Sequence, residues 1–326
     1  MVGRKLSRIA LILAAATTAS CTPLPDTSPY TAATVQVRTS AAAAGSALHD
    51  EFGRMTDRLP EDKQARAAEI SAAFDDAWKK TMGSLDGLTA YAESIEQITK
   101  AGNSGGASAR AVAQSVQTLA GAVGIVPGAA LAGVAADTFA TIYSQIANIR
   151  AQRSLSRSLD AADPLIRDMA NAITSQVTTA RKSFEDVIAL ERQALNFSVN
   201  VDDVRSLDAR LATAENNAAR TLATLLENDA PEAQRLAAEV RLKRIRDGRA
   251  AIAPRMTAYH AELTALAVRA QAGRDLFAAT DRAVTDWREA HRRMALAMRE
   301  RRPFSVQSLV ASAQEIQGLV ERWRKL

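Results

Sequence analysis

Cys21 is the only thiol in the 326-residue chain, and it stands where a run of small residues follows a short apolar stretch. A thiolate is a nucleophile, so this position invites covalent modification rather than an internal disulfide, which one cysteine cannot form. The other residue types able to carry chemistry are scattered. His49, His260 and His291 lie far apart. His260 has Glu262 two positions on, and i and i+2 diverge on a helix. The acid pairs Asp75–Asp76 and Asp202–Asp203 diverge in the same way and suit solvated faces and helix caps. The G-x-S-x-G spacing occurs at Gly102–Gly106, but it follows a helical pattern rather than a strand and so is not a nucleophile elbow. Gly102-Asn-Ser-Gly105-Gly106 is glycine-rich, but it follows a helical pattern and lacks the Lys-Ser/Thr of a phosphate loop. It reads as a turn that ends a helix. Neither catalysis, a metal site, a cofactor nor a small-molecule substrate is expected.

The elements around Cys21 define its context. Arg4, Lys5 and Arg8 form a basic start, Ile9 to Ala19 an apolar run too short to span a bilayer, and small residues lead to Ser20–Cys21. That is secretory-signal architecture. The segment resembles the lipobox of bacterial lipoproteins, departing at Thr18, where that family usually has Leu. The resemblance implies cleavage after residue 20 and lipidation of Cys21. Acyl chains would then retain the protein at a membrane with about 0.8 kcal/mol per buried methylene. Thr22 stands where an aspartate would tend to retain a lipoprotein at the inner membrane, so the resemblance implies the periplasmic face of an outer membrane. Residues 21–47, with Pro23, Pro25 and Pro29 among Thr, Ser and Ala, are expected to be a disordered, lipidated tether.

Composition excludes other classes. Hydrophobic residues make up 47% of the chain and aromatics only 4%, which suits close-packed helices better than a sheet. Removing Arg4, Lys5 and Arg8 from the 41 basic residues leaves 38 against 36 acids, so the processed chain is near neutral. The basic stretch Arg241–Arg249 holds no aromatic, and Arg282–Arg302 holds only Trp287, which falls on the apolar stripe, so a nucleic-acid partner is not expected. A membrane, reached through the lipid, and an unidentified envelope protein are the expected partners.

From Leu48 onward apolar residues recur at helical spacing. The expected fold is all-α: an elongated multi-helix bundle with long antiparallel helices and a central apolar helical hairpin, the bundle covering 48–326. Helices are expected from Pro60 to about 100, from Asp163–Pro164, from about 200 to 225 on a stripe through Leu207 and Leu211, from Pro231 to a kink or end at Pro254 and on to Arg302, and from Ser305. The apolar period drifts, which favours a bundle over a strict heptad coiled coil.

Between Arg110 and Arg150 the only charge is Asp137. Pro127–Gly128 divides this segment into expected helices over about 107–126 and 129–158, with Gly121, Gly124, Gly128 and Gly133 allowing close backbone approach. A buried hairpin, a hairpin that inserts into a membrane, and a constitutive anchor are all compatible with its composition. Insertion would resemble the α-helical pore-forming toxins of the ClyA type in architecture, and would use Val123, Ile125, Val126, Pro127, Ala130 and Leu131. The first arm has too few apolar residues to span a bilayer, and Asp137 would cost about 2.5–3.5 kcal/mol at its centre, so burial is preferred.

Overall fold

The computed structural model describes residues 24–102, 106–124, 136–199 and 201–326, with side chains placed outside 136–143, 198–199 and 201–202. Among the described residues the fold is all-α, with eight helices and no strand: α1 (Ser28–Arg58), α2 (Glu61–Lys100), α3 (Gly106–Ala122), α4 (Ala136–Ala151), α5 (Leu155–Val199), α6 (Val201–Glu227), α7 (Glu232–Glu300) and α8 (Gln307–Trp323).

The chain divides into two compact units. The first comprises the described part of Met1–Gln36 with Ser84–Asn171 and Thr285–Ala311; the second comprises Val37–Gly83, Ala172–Val284 and Ser312–Leu326. The first is centred on Tyr30, Tyr91 and Trp287, whose rings lie 6.0 Å apart in the pairs Tyr30–Trp287 and Tyr91–Trp287. The second is centred on Phe52, Phe74, Trp78, Phe184 and Phe277, with Phe52 and Phe74 stacked at 4.5 Å. So few aromatics make a core because glycines admit them. A Cβ at Gly45 would lie 1.7 Å from Trp78 Nε1, and one at Gly273 would lie 2.3 Å from the Phe184 ring.

The expected tether over 21–47 is corrected from residue 28 onward. Helix α1 begins at Ser28 and is largely buried along one face. The prolines do not prevent this. Pro29 falls in the first turn, where a helix needs no N–H donor. The Thr27 carbonyl accepts from the Tyr30 and Thr31 amides, and Asp26 accepts from the Ser28 amide at 2.9 Å. Tyr30, Thr34, Val37, Ala41, Ala44, Leu48, Glu51 and Met55 then step alternately by four and three, and all are buried. The small, partly polar members of that stripe make it easy to mistake for linker.

The expectation of a drifting period is also corrected. In α7 the positions Arg235, Ala238, Leu242, Ile245, Arg249, Ile252, Met256 and Tyr259 begin an alternation of three- and four-residue steps. It continues unbroken to Met298, and no position in it is exposed. That is a sustained heptad. Pro254 does not end α7, and Pro164 lies inside α5 rather than opening it; that helix starts at Leu155. Both prolines are exposed. On the outward face the carbonyl that each leaves unpaired, four residues earlier, can turn to water.

Two helix ends use a left-handed residue without glycine. Asp229 has φ 48°, with the Ala230 amide donating to the Leu225 carbonyl at 2.9 Å and the Asp229 amide to that of Leu226. Arg301 has φ 52°, with the Arg302 amide donating to the Ala297 carbonyl. These are Schellman closures. The first turns α6 into α7.

Candidate functional site

Cys21 and the insertion candidates Ile125, Val126, Pro127, Ala130 and Leu131 lie outside the described residues. Val123, the remaining candidate, is buried at the end of α3, its amide donating to the Leu119 carbonyl at 3.0 Å. Helix α3 is amphipathic: Val112, Ala113, Val116, Leu119 and Ala120 are buried, while Arg110, Gln114 and Thr118 face water. It packs on α4, which ends at Ala151, before the end of the arm expected over 129–158. Among the described residues nothing lies within 4 Å of a Cβ placed at Gly121. A close approach falls at Gly87 of α2, where a Cβ would lie 2.7 Å from that of Ala122. Gly124 has φ 82° and serves a turn. No described helix is long and apolar enough to cross a membrane.

In the first unit, folding assembles a chain of polar groups that residue spacing does not reveal. The Tyr91 hydroxyl and His291 Nε2 are 2.8 Å apart, and His291 Nδ1 faces an Asp163 oxygen at 3.7 Å. Burial, and secondarily the Asp163 charge, push the Tyr91 hydroxyl far up, so it keeps its proton. With the imidazole tautomer that carries its proton on Nδ1, towards Asp163, the hydroxyl donates to Nε2. Asp163, expected to cap a helix, is held below the usual carboxylate range chiefly by His291 and further by Arg292 and Arg288. The order hydroxyl–imidazole–carboxylate matches a nucleophile relay, yet Tyr91 is 1% exposed and His291 wholly buried. No substrate reaches that hydroxyl. These polar groups join α2, α5 and α7.

In the second unit α6 and α7 form a two-helix arm. Val204, Asp208, Leu211, Glu215, Ala218, Leu222 and Leu225 make the α6 seam in alternating four- and three-residue steps, and Leu207, expected on the stripe, is exposed. Asp208 and Glu215 sit at seam positions opposite Arg249. Its Nε donates to Asp208 at 3.1 Å and its Nη1 to Glu215 at 2.8 Å, while Arg246 donates to Glu215 at 3.0 Å. One polar layer of this kind fixes the register of an antiparallel pair. Nearer the turn, Leu226, Leu236 and Val240 are about half exposed.

The same unit holds a buried ionic cluster. Glu51 and Glu191 both fall on inward-facing positions of their helices, and Arg269 of α7 bridges them, Nη1 donating to Glu51 at 2.9 Å and Nη2 to Glu191 at 3.1 Å. Arg54 meets Glu51 at 2.7 Å, and Arg58 approaches Glu191 at 3.7 Å. Desolvation raises the Glu191 carboxyl above its usual range against the pull of Arg269 and Arg58. Glu191 and Arg269 border a half-open cavity of about 760 Å³ with apolar walls from Leu59, Pro60, Ala194, Leu195, Leu266 and Val268. Neither acid, nor the arginine between them, carried a sequence signal, since their proximity comes from three helices.

The two basic stretches meet acids in the fold. Besides the Arg246 and Arg249 contacts, Lys243 pairs with Asp247, Arg282 with Glu315, Arg292 and Arg293 with Glu289, and Arg299 with Asp160. Within reach of the described side chains, no group of three His, Cys, Asp or Glu could hold a metal ion. The remaining histidines stand apart: His49 meets Asp75 at 2.8 Å on the surface, and His260 is exposed beside the Tyr259 ring. No protein-family model, curated protein or solved structure matches this chain.

Proposed function

We propose that the chain is a bacterial envelope lipoprotein that acts without enzymatic chemistry as a helical interaction module. Residues 1–20 export it, Cys21 takes the lipid, and the protein works at the periplasmic face of the outer membrane. The observation that carries the interaction role is the α6–α7 arm. Its seam is closed by a heptad and a polar layer, yet Leu226, Leu236 and Val240 remain half exposed near its turn. Half-exposed apolar side chains on a two-helix arm suit a groove or helix of a partner protein. The basic, apolar and small-residue order of residues 1–21 supports the address.

Two measurements test this. Metabolic labelling with an alkynyl fatty acid should tag the wild-type chain and not Cys21→Ser, which should also leave the membrane fraction; labelling that survives the substitution removes the lipid assignment. A photo-crosslinker at Leu236 should give a discrete adduct in cells, while one at the exposed Thr213 should not. Equal, diffuse adducts at both positions would remove the arm from the proposal.

A further inference from the structure

The outward side of α7 in the arm carries a row of side chains left exposed. Glu232, Leu236, Val240 and Arg244 follow one another at steps of four, so they form one inclined ridge on the helix surface. All four are exposed, Leu236 at 59% and Val240 at 49%. The ridge points away from α6, because the seam to α6 runs through Arg235, Ala238, Leu242 and Ile245. Among the described side chains neither Glu232 nor Arg244 has an ionic partner.

The row is its own complement. It reads acid, apolar, apolar, base, and turned end over end it reads base, apolar, apolar, acid. A two-fold axis at the level of Ala238 sets the Arg244 of a second copy against Glu232 and its Val240 against Leu236, and both contacts recur on the other side of the axis. Glu232 and Arg244 stand about 18 Å apart along the helix at 1.5 Å per residue, so the two ion pairs flank the four apolar side chains. An anionic lipid surface would attract Arg244 and Lys243 but repel the exposed Glu232 and Glu239 beside them. We infer that this face of α7 is a self-docking surface whose partner is a second, antiparallel copy of this chain. The inference rests on the reading of the arm as an interaction surface and names its occupant. The contact is one ridge wide, so the dimer is reversible.

Analytical ultracentrifugation of the full chain in a non-ionic detergent tests this. Wild type should show a monomer–dimer equilibrium that weakens as salt rises. Arg244→Glu and Glu232→Arg each make both ion pairs repulsive, so each variant alone should associate about ten-fold more weakly. Mixed one to one, the two variants should recover wild-type association, because every pair in the heterodimer again joins an acid to a base. Recovery also shows that both variants are folded. In cells holding two differently tagged copies, a photo-crosslinker at Leu236 should give an adduct that carries both tags. Three results in solution would overturn the inference: a chain that stays monomeric at every concentration, including one that floats with phosphatidylglycerol vesicles instead; association indifferent to both charge reversals; or reversals that do not rescue each other. A Leu236 adduct with a different protein alone would remove the second copy and keep the arm as an interaction surface, whereas no adduct at all would remove both.

Discussion

Tyr91 of α2 and His291 of α7 lie 200 positions apart and meet in one buried hydrogen bond of 2.8 Å. A bond of that span holds α2 and α7 in one register, because both side chains are buried where they meet. Tyr91→Phe should therefore leave Nε2 of His291 unpaired and cost about 1–3 kcal/mol, more than the net value of an ordinary hydrogen bond. Urea unfolding of Tyr91→Phe, His291→Leu and the pair would check this: the double variant should be less destabilised than the sum of the singles. Strictly additive losses would mean that the bond contributes nothing as a pair.

Acid should act on the two units in opposite senses. Asp163 has its folded pKa depressed, mainly by His291. Its contribution is complete above the unfolded Asp value of about 3.9 and is lost as pH falls through the lower folded value. Glu191 has its folded pKa raised by desolvation. Its contribution is complete below the unfolded Glu value of about 4.3 and is lost as pH rises through the higher folded value. Relative to wild type, Asp163→Asn should flatten the acid limb of the stability curve, and Glu191→Gln should flatten the decline just above it. Denaturant midpoints measured from pH 3 to pH 7 give both slopes; slopes of the same sign would contradict the assigned causes.

The polar layer of the arm should contribute more to register than to stability. Arg249 is 37% exposed at its side chain, so its two carboxylate bonds are partly screened. Arg249→Met should therefore shift the urea midpoint only slightly. Replacing Asp208, Glu215 and Arg249 together by leucine should raise the thermal midpoint, since an apolar seam exchanges ions for burial. A triple variant that melts below wild type would show that the layer is a net stabiliser.

Helix type and most boundaries could be read from composition and period: α2, α6 and α8 follow the apolar spacing and the breaks at Pro60, Asn228–Pro231 and Pro303–Ser305. The start of α1 could not, because Thr34, Ala41 and Ala44 are core residues that look like linker. Pro164 and Pro254 misled for a physical reason: a proline ends a helix only where the freed carbonyl has nowhere to go, and both are on water-facing sides. The ionic cluster was illegible because Glu51, Glu191 and Arg269 come from three helices. A single acid within an apolar stripe carries no sign of the cation that will meet it.

Glycine substitutions separate backbone freedom from space, and they offer a check on the packing of the second unit. Gly45 and Gly53 both lie inside α1, so both carry the same helical penalty relative to alanine. At Gly53 a Cβ would meet nothing within 4 Å, and Gly53→Ala should stabilise by about 0.4–1 kcal/mol. At Gly45 the same methyl would collide with the indole of Trp78, itself packed by Phe74 and Phe277. That ring cannot retreat without displacing two others, so Gly45→Ala should cost about 1–3 kcal/mol despite the gain in propensity. At the α6–α7 turn the change runs the other way: Asp229 adopts φ 48° with its side chain almost fully exposed, and Asp229→Gly should stabilise by about 0.5–1 kcal/mol. Thermal midpoints should therefore order Gly53→Ala and Asp229→Gly above wild type and Gly45→Ala well below it. A neutral Gly45→Ala would mean that the Trp78 ring does not rest on the α1 backbone.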